Sequence, residues 1–277
     1  MSKEKNKIIE NTVNYLKFYK EHYNYTIYKN EINFSNSPPG LFEAKEPGHD
    51  KVTGKIISKP EAAKDKEIIV KDSVNESVMP LIKEDWMDCD TLEAFANAIK
   101  DCPKCSLLVR TRRQVVFGSG NPNAEVVVVG EAPGADEDEK GKPFVGRAGK
   151  LLTEILKAIN FSREEVFICN ILKCRPPENR NPLPDEIANC EPYLFKQLEM
   201  IKPKLILAVG TFAAQTLLGT KEPLGRLRGK FHTYKGIKMM VTYHPAALLR
   251  NPNWKKPTWE DVKLFRKEYD KQLTVSS

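Results

Sequence analysis

The sequence predicts an α/β protein, a three-layer α/β/α sandwich around a central, mostly parallel four-stranded sheet, with a helical and irregular N-terminal extension. Three observations predict it. Four apolar runs, 125–130 (EVVVVG), 165–170 (EVFICN), 204–210 (KLILAVG) and 237–243 (IKMMVTY), read as strands; the first is continuously apolar, as a strand covered on both faces is. Helical patterns alternate with them, which is the signature of parallel neighbours joined by crossover helices. Hydrophobic residues make up 40% of 277, enough for a sizeable core, and that excludes a wholly disordered chain.

The elements follow in chain order. Residues 6–24 place Ile9, Val13, Leu16, Tyr19 and Tyr23 near helical spacing, with Lys and Glu between them, and predict one amphipathic docking helix. From about 30 to 85, SNSPPG, EPGHD, Pro60 and Pro80 break every pattern, which reads as a linker or a loosely ordered segment. A second region starts near Trp86. Asp90 and Thr91 are cap residues for a helix with Leu92, Phe95, Ala96 and Ile99 on one face, ending at the turn Cys102-Pro-Lys-Cys105. Leu151, Leu152, Ile155, Leu156 and Ile159 mark a helix after the first strand, and Phe212 to Leu218 mark another just after Gly210. The expected division is therefore an extension over 1–85 and one α/β domain over 86–277.

Charge divides at the same place. Lys plus Arg total 44 against 37 Asp plus Glu, a net +7. Residues 1–85 contain 14 Lys, no Arg and 14 acids, so the whole excess lies in 86–277. A mildly basic domain suits an anionic partner without identifying it. No run of 18 apolar residues is present, and the start has neither an apolar h-region nor a cleavage site. A membrane span and a secretory signal are thus not expected, and an intracellular, cytoplasmic protein is.

In parallel sheets ligands bind outside the carboxyl ends of the strands. That rule points to Gly130, Asn170, Gly210 and His244 onward. After the first strand, GEAPG makes a rigid loop whose backbone N–H groups can approach a ligand. An acidic run, Asp136-Glu137-Asp138-Glu139, follows it; such a run is commonly a solvated loop, but its place at a strand end favours function. Phe144 lies in a Gly/Pro-rich stretch where it is poorly explained as core, and a stacking platform for a ring is expected. Asn170 presents a donor and an acceptor together, as reading an amide or imide edge requires. His244-Pro at the last strand end is placed for catalysis rather than packing. Residues 224–230 (LGRLRGK) with Arg250, Lys255 and Lys256 form a candidate phosphate track.

Six cysteines point to metal or thiol chemistry. Cys102-x2-Cys105 is a metal-ligand turn, and Cys174 and Cys190 supply two more thiols; four such ligands suit zinc or an iron–sulfur cluster, and spacing alone does not choose. Cys89 and Cys169 are expected to pack.

Taken together, GEAPG, KPFVGRAGKLL, NILKCRPPENRNP, HPAALLRNP and the four cysteines resemble the signature blocks of family 4 uracil-DNA glycosylases, in order, over about residues 90–270. The resemblance implies a monofunctional DNA-repair glycosylase that flips uracil out of single- or double-stranded DNA, hydrolyses its N-glycosidic bond and leaves an abasic site. It implies a structural [4Fe–4S] cluster on Cys102, Cys105, Cys174 and Cys190, with zinc the less favoured occupant. Glu131 and Ala132 would lie near the uracil and the attacking water, and Glu137 would arrange that water or its loop. Phe144 would stack on the flipped base, Asn170 would read O4 and N3–H, and His244 would sit near O2. Leu248, Leu249 and Arg250 would enter the minor groove as wedge and phosphate contact. Ala132 stands where many relatives of the superfamily have a water-activating Asp, which leaves the general base open. Residues 171–184 contain no His and no basic insert, unlike a subgroup that traps uracil-DNA covalently. The expected state is a monomer, with a protein partner conceivable only through residues 1–85. A non-catalytic metal- or cluster-bearing DNA-binding protein is the alternative reading, and a redox role for the cluster a third.

Overall fold

The computed structural model describes residues 84–275. The helix expected over 6–24, and all but the end of the irregular stretch to 85, lie outside these residues. The chain parts into two units between Ile82 and Lys83, and the second is the one described.

Its first elements are a 3₁₀ turn at Asp85–Asp88, helix α1 (Leu92–Ile99) and helix α2 (Ser106–Thr111). Thr91 caps α1, its hydroxyl accepting the Ala94 N–H at 3.1 Å. Then come β1 (Ser119–Gly120), β2 (Val126–Gly130), α3 (Ala135–Lys140), α4 (Arg147–Ala158) and β3 (Phe167–Asn170). The chain continues through α5 (Pro184–Ile201), β4 (Leu205–Val209), α6 (Thr211–Leu218) and α7 (Leu224–Leu227). It ends in β5 (Phe231–Tyr234), β6 (Ile237–Thr242), α8 (Pro245–Arg250) and α9 (Lys255–Val275).

The sheet order is β1-β3-β2-β4-β6-β5. The four expected strands form its parallel centre, β3-β2-β4-β6. Two strands not foreseen, β1 and β5, pair antiparallel on the two edges, so the sheet has six strands rather than four. Both are too short or too polar to carry an apolar run of their own.

Strand periodicity sorts the core into two layers. Val127, Val129, Phe167, Cys169, Ile206, Ala208, Met239 and Val241 face the helices α1, α2, α5, α6 and α7. Val126, Val128, Ile168, Leu205, Leu207 and Met240 face Leu152 and Leu156 of α4 and Val262 and Phe265 of α9. Both faces are thus covered, which explains the unbroken apolar text of β2 and β4, buried along their whole length. From β2 the chain crosses to β3 on one side, and from β4 to β6 on the other. The carboxyl ends of β2 and β4 therefore flank a crevice where the winding reverses.

Candidate active site

A cleft of about 370 Å³ opens at these strand ends. The loop after β2 supplies Glu131, Ala132, Pro133 and Gly134, β3 supplies Asn170, and the end of β6 supplies His244. Phe144, Glu137 and Arg250 also line it, so residues separated by more than a hundred positions share one wall system. Gly130 is required here by space. A Cβ on it would strike both Asn170 Oδ1 and the Phe144 ring.

Asn170 is buried at the end of β3, and its Oδ1 has no hydrogen-bond partner. A buried orphan acceptor is costly, and it is tolerated here because it faces a cleft that a donor can enter. His244 caps α8: its Nδ1 accepts the Ala246 N–H at 3.1 Å. That bond leaves Nδ1 unprotonated, so the neutral ring carries its proton on Nε2. Burial, with the Arg250 charge beside it, pushes the His244 pKa down to about 4, Glu137 opposing. The imidazole is neutral at pH 7 and offers one N–H donor. Burial moves Glu131 the other way, up to about 7 against the pull of Arg250.

The acidic run is a helix, not a loop, and two of its acids are wired inward. Glu137 Oε1 accepts the Val145 and Gly146 N–H groups at 2.9 and 3.0 Å, and Oε2 accepts the Gly134 N–H at 3.1 Å. This carboxylate ties the loop after β2 to the loop before α4. Asp138 is buried and accepts the Arg113 N–H with both oxygens. No feature of four adjacent acids distinguishes these two from their exposed neighbours; only the three-residue spacing from Gly134 to Glu137, a helix-start pattern, marks Glu137.

Phe144 corrects an expectation. It lines the cleft, but it is also core: 6% exposed, within the layer of Leu152 and Val128. Its ring lies 5.4 Å from that of His244, tilted by 33°. Its backbone is left-handed, φ 52°, and Gly149 of α4 makes room, since a Cβ there would run into the Phe144 carbonyl. The ring is therefore anchored below and open above.

The two leucines of α8 separate. Leu248 is 1% exposed and packs inward, because it lies on the buried side of α8, so it cannot serve as a wedge. Leu249 is 39% exposed beside Arg250. The phosphate track also loses a member. Arg228 forms a two-point ion pair with Asp261, at 2.6 and 3.0 Å, and lies over the Tyr243 ring, whose other partner is Trp254. Arg226, Lys230, Lys255 and Lys256 remain exposed.

The wall made by Pro176, Asn179, Arg180 and Asn181 was not singled out from sequence. Glu178 and Asn179 are both left-handed, φ 56° and 55°, which shapes this wall, and Arg180 grips Glu186 with two bonds at 2.9 and 2.5 Å. An Asn after Pro-Pro-Glu was the available signal, since Asn tolerates that region.

The four cysteines converge on the opposite side of β3 from α4. Cys174 and Cys190 are buried in the first core layer, with Cys102 and Cys105 packed against it. Each sulfur has a polar neighbour: Arg112 donates to Cys174 at 3.0 Å, the Lys173 N–H to Cys190 at 3.3 Å and Asn189 Nδ2 to Cys105 at 3.6 Å, while Cys102 lies 3.2 Å from the Tyr193 hydroxyl. Burial first, and neighbouring cysteines with it, push the thiols of Cys105 and Cys190 up to about 11 and 12, with the Asn189 and Lys173 N–H bonds opposing. Among the described residues no three Cys, His, Asp or Glu side chains close on a point as around one metal ion. Cys105 feels the charges of Cys174 and Cys102, and Cys190 those of Cys174 and Cys105, so the four sulfurs lie near one another, and four thiols are the donor chemistry that zinc or an iron–sulfur cluster takes. Cys169 is buried in β3 as expected, and Cys89 is partly buried beside the same core layer.

Residues 117–263 match the uracil DNA glycosylase superfamily. The chain is similar to the type-4 uracil-DNA glycosylase of Saccharolobus solfataricus, 47% identical over 187 residues, 64% of this chain and 85% of the relative. It is similar to that of Archaeoglobus fulgidus, 45% identical over 182 residues, 63% of this chain and 91% of the relative. The type-4 enzyme of Sulfurisphaera tokodaii is 44% identical over 186 residues, 64% of this chain and 84% of the relative.

Proposed function

The chain belongs to the uracil DNA glycosylase superfamily, with type-4 relatives, and from that premise we infer that it is a DNA-repair enzyme excising uracil from DNA. It is a monofunctional glycosylase: it releases free uracil and leaves an abasic site for base excision repair. DNA is its substrate partner.

The observation that carries the site assignment is the pairing of an orphan Asn170 Oδ1 with a neutral His244 donor in one cleft. Uracil inside a duplex is out of reach, so the nucleotide is extruded, at a cost of a few kcal/mol of stacking and pairing. Leu249 fills the gap it leaves. In the cleft, Phe144 lies against the base face. Asn170 Oδ1 accepts uracil N3–H, and its amide N–H donates to O4. Cytosine inverts both partners, since its N3 is an acceptor and its N4 a donor, and it is refused.

Cleavage of C1′–N1 sends the bonding pair to uracil, leaving positive charge on the sugar. The Nε2–H of His244 donates to O2, where the negative charge gathers, and one such donor in a dry site contributes roughly 3–4 kcal/mol. A neutral donor suits this task, because it leaves the released anion stabilised without a proton transfer during bond breaking. Water then bonds to C1′ and gives up a proton. Glu131, which lines the cleft and whose pKa of about 7 is near working pH, is the proposed acceptor. The Glu137 carboxylate, occupied by three backbone N–H groups, positions the loop instead.

A [4Fe–4S] cluster held by Cys102, Cys105, Cys174 and Cys190 would bind this segment together. It supplies structure, and the hydrolysis is performed by the cleft residues. Arg250, Arg226, Lys230, Lys255 and Lys256 are the proposed phosphate contacts, which order-of-magnitude salt dependence would reveal.

Base release from U:G, U:A and single-stranded uracil oligonucleotides, with thymine as control, tests the reading. Alkali-labile sites from uracil strands alone are expected, and the Asn170→Ala, His244→Ala double variant should lose activity by at least about 10²-fold. Full activity in that variant overturns the site assignment. A purified protein without broad visible absorption overturns the cluster and favours zinc.

A further inference from the structure

Lys173 is 1% exposed. Its ammonium donates to the Asn170 carbonyl at 2.9 Å and to Gln197 Oε1 at 2.6 Å. Both partners are neutral. Burial disfavours the ammonium, and the neighbouring sulfurs of Cys169, Cys190 and Cys174 favour it, but neither of these explains why it is aimed at the Asn170 carbonyl. What the charge does achieve is geometric. Gln197 is fully buried and donates Nε2 to the Phe117 carbonyl at 2.9 Å, which leaves its Oε1 turned toward the ammonium. The Lys173 backbone is held as firmly: its carbonyl accepts the Val116 N–H at 2.7 Å and its N–H donates to Cys190 Sγ at 3.3 Å. The neighbouring Ile171 and Leu172 N–H groups bond the Gly130 and Glu131 carbonyls at 2.9 and 3.0 Å. Asn170 is therefore clamped through its own carbonyl, while its side chain is left free for the cleft.

We propose that Lys173, steadied by Gln197, is a positioning residue for uracil recognition: it locks the Asn170 peptide so that the unpaired Oδ1 meets the base edge, and it ties that lock to the cysteine centre through Cys190. This rests on Asn170 reading uracil. The uracil cleft thereby gains a rigid link to the cysteine centre, four residues along the chain from Asn170 to Cys174.

The test is a double-mutant cycle on the full chain, following single-turnover uracil release, thermal melting, the visible absorption of the purified protein and affinity for uracil-free DNA. Lys173→Met and Gln197→Met are each made alone and with Asn170→Ala. Misplacing a reading group by about 1 Å should slow release by about 10²-fold in Lys173→Met and less in Gln197→Met. In the Asn170→Ala background neither should cost more than about twofold, because the group being positioned is gone. Visible absorption and uracil-free DNA affinity should stay unchanged. Equal losses in both backgrounds would overturn the proposal, as would full activity in Lys173→Met. Failure of both variants to fold also overturns it, since the pair would then be holding the core. If the parent chain releases no uracil, the functional reading itself fails, which the control lane distinguishes.

Discussion

Glu131 and His244 sit in the same cleft and are driven toward neutrality from opposite sides, because burial penalises whichever form is charged. For Glu131 the folded pKa, about 7, lies above the ordinary 4.5. The folded state thus holds a proton that the unfolded chain releases, so stability falls as pH rises from 4.5 to 7 and stays lowered above. Glu131→Gln should therefore melt at a higher temperature than the parent at about pH 8 and at a similar one at about pH 4.5. The same variant should lose most uracil release, and the parent rate should climb with pH through about 7. A variant with parental pH dependence would remove Glu131 from the chemistry. His244 works in the opposite direction. Its folded pKa of about 4 lies below 6.5, so the stability that it contributes is complete above 6.5 and is lost as pH falls toward 4. The parent rate should therefore show no His244 step between about pH 5.5 and 8, checked against His244→Gln. Neither shift is written in the sequence. A Glu after Gly and a His before Pro acquire these values only from the walls around them.

At the scale of elements, α8 shows how one helical turn assigns different work to adjacent residues. Successive positions differ by about 100° around a helix, so Leu248 faces the core and Leu249 the solvent. Leu248→Ala should lower stability by about 2–5 kcal/mol in chemical denaturation while keeping activity per folded molecule. Leu249→Ala should leave melting unchanged but slow release from duplex more than from single-stranded uracil substrate. The reverse pattern would move the wedge elsewhere. A two-leucine motif in a six-residue helix is too short for periodicity to orient it, which is why the text alone treats both as wedges. The acidic run of α3 was opaque for a related reason. Charge marks a segment as solvent-facing, but Glu137 and Asp138 are drawn inward by backbone N–H groups of Val145, Gly146 and Arg113, which lie outside the acidic run. Buried strands carry their own signal. The four parallel strands, α1 and α6 fall within one or two residues of the expected ranges, with Thr91 as the cap, whereas α4 starts four residues before Leu151 and the two longest helices, α5 and α9, were not foreseen.

At the scale of the whole molecule, the excess charge belongs to residues beyond 85, as do the cleft residues among the described residues. A chain beginning at about residue 84 should keep uracil release and visible absorption within about twofold of the full chain, provided residues 1–85 only tether or dock. Loss of either would give the extension a part in the active unit. The sequence by itself determined the layer order and the carboxyl-end location of the cleft, because unbroken apolar runs are local properties of the text. It also placed Asn170 and His244 at strand ends, where only a parallel sheet makes such residues neighbours. The tertiary structure alone decided the edge strands β1 and β5, the inward turn of Leu248 and Arg228, the double duty of Phe144 and the buried link from Lys173 to Asn170. Each depends on which distant atoms lie within hydrogen-bond or van der Waals reach, and that is settled by packing rather than by any neighbour in the chain.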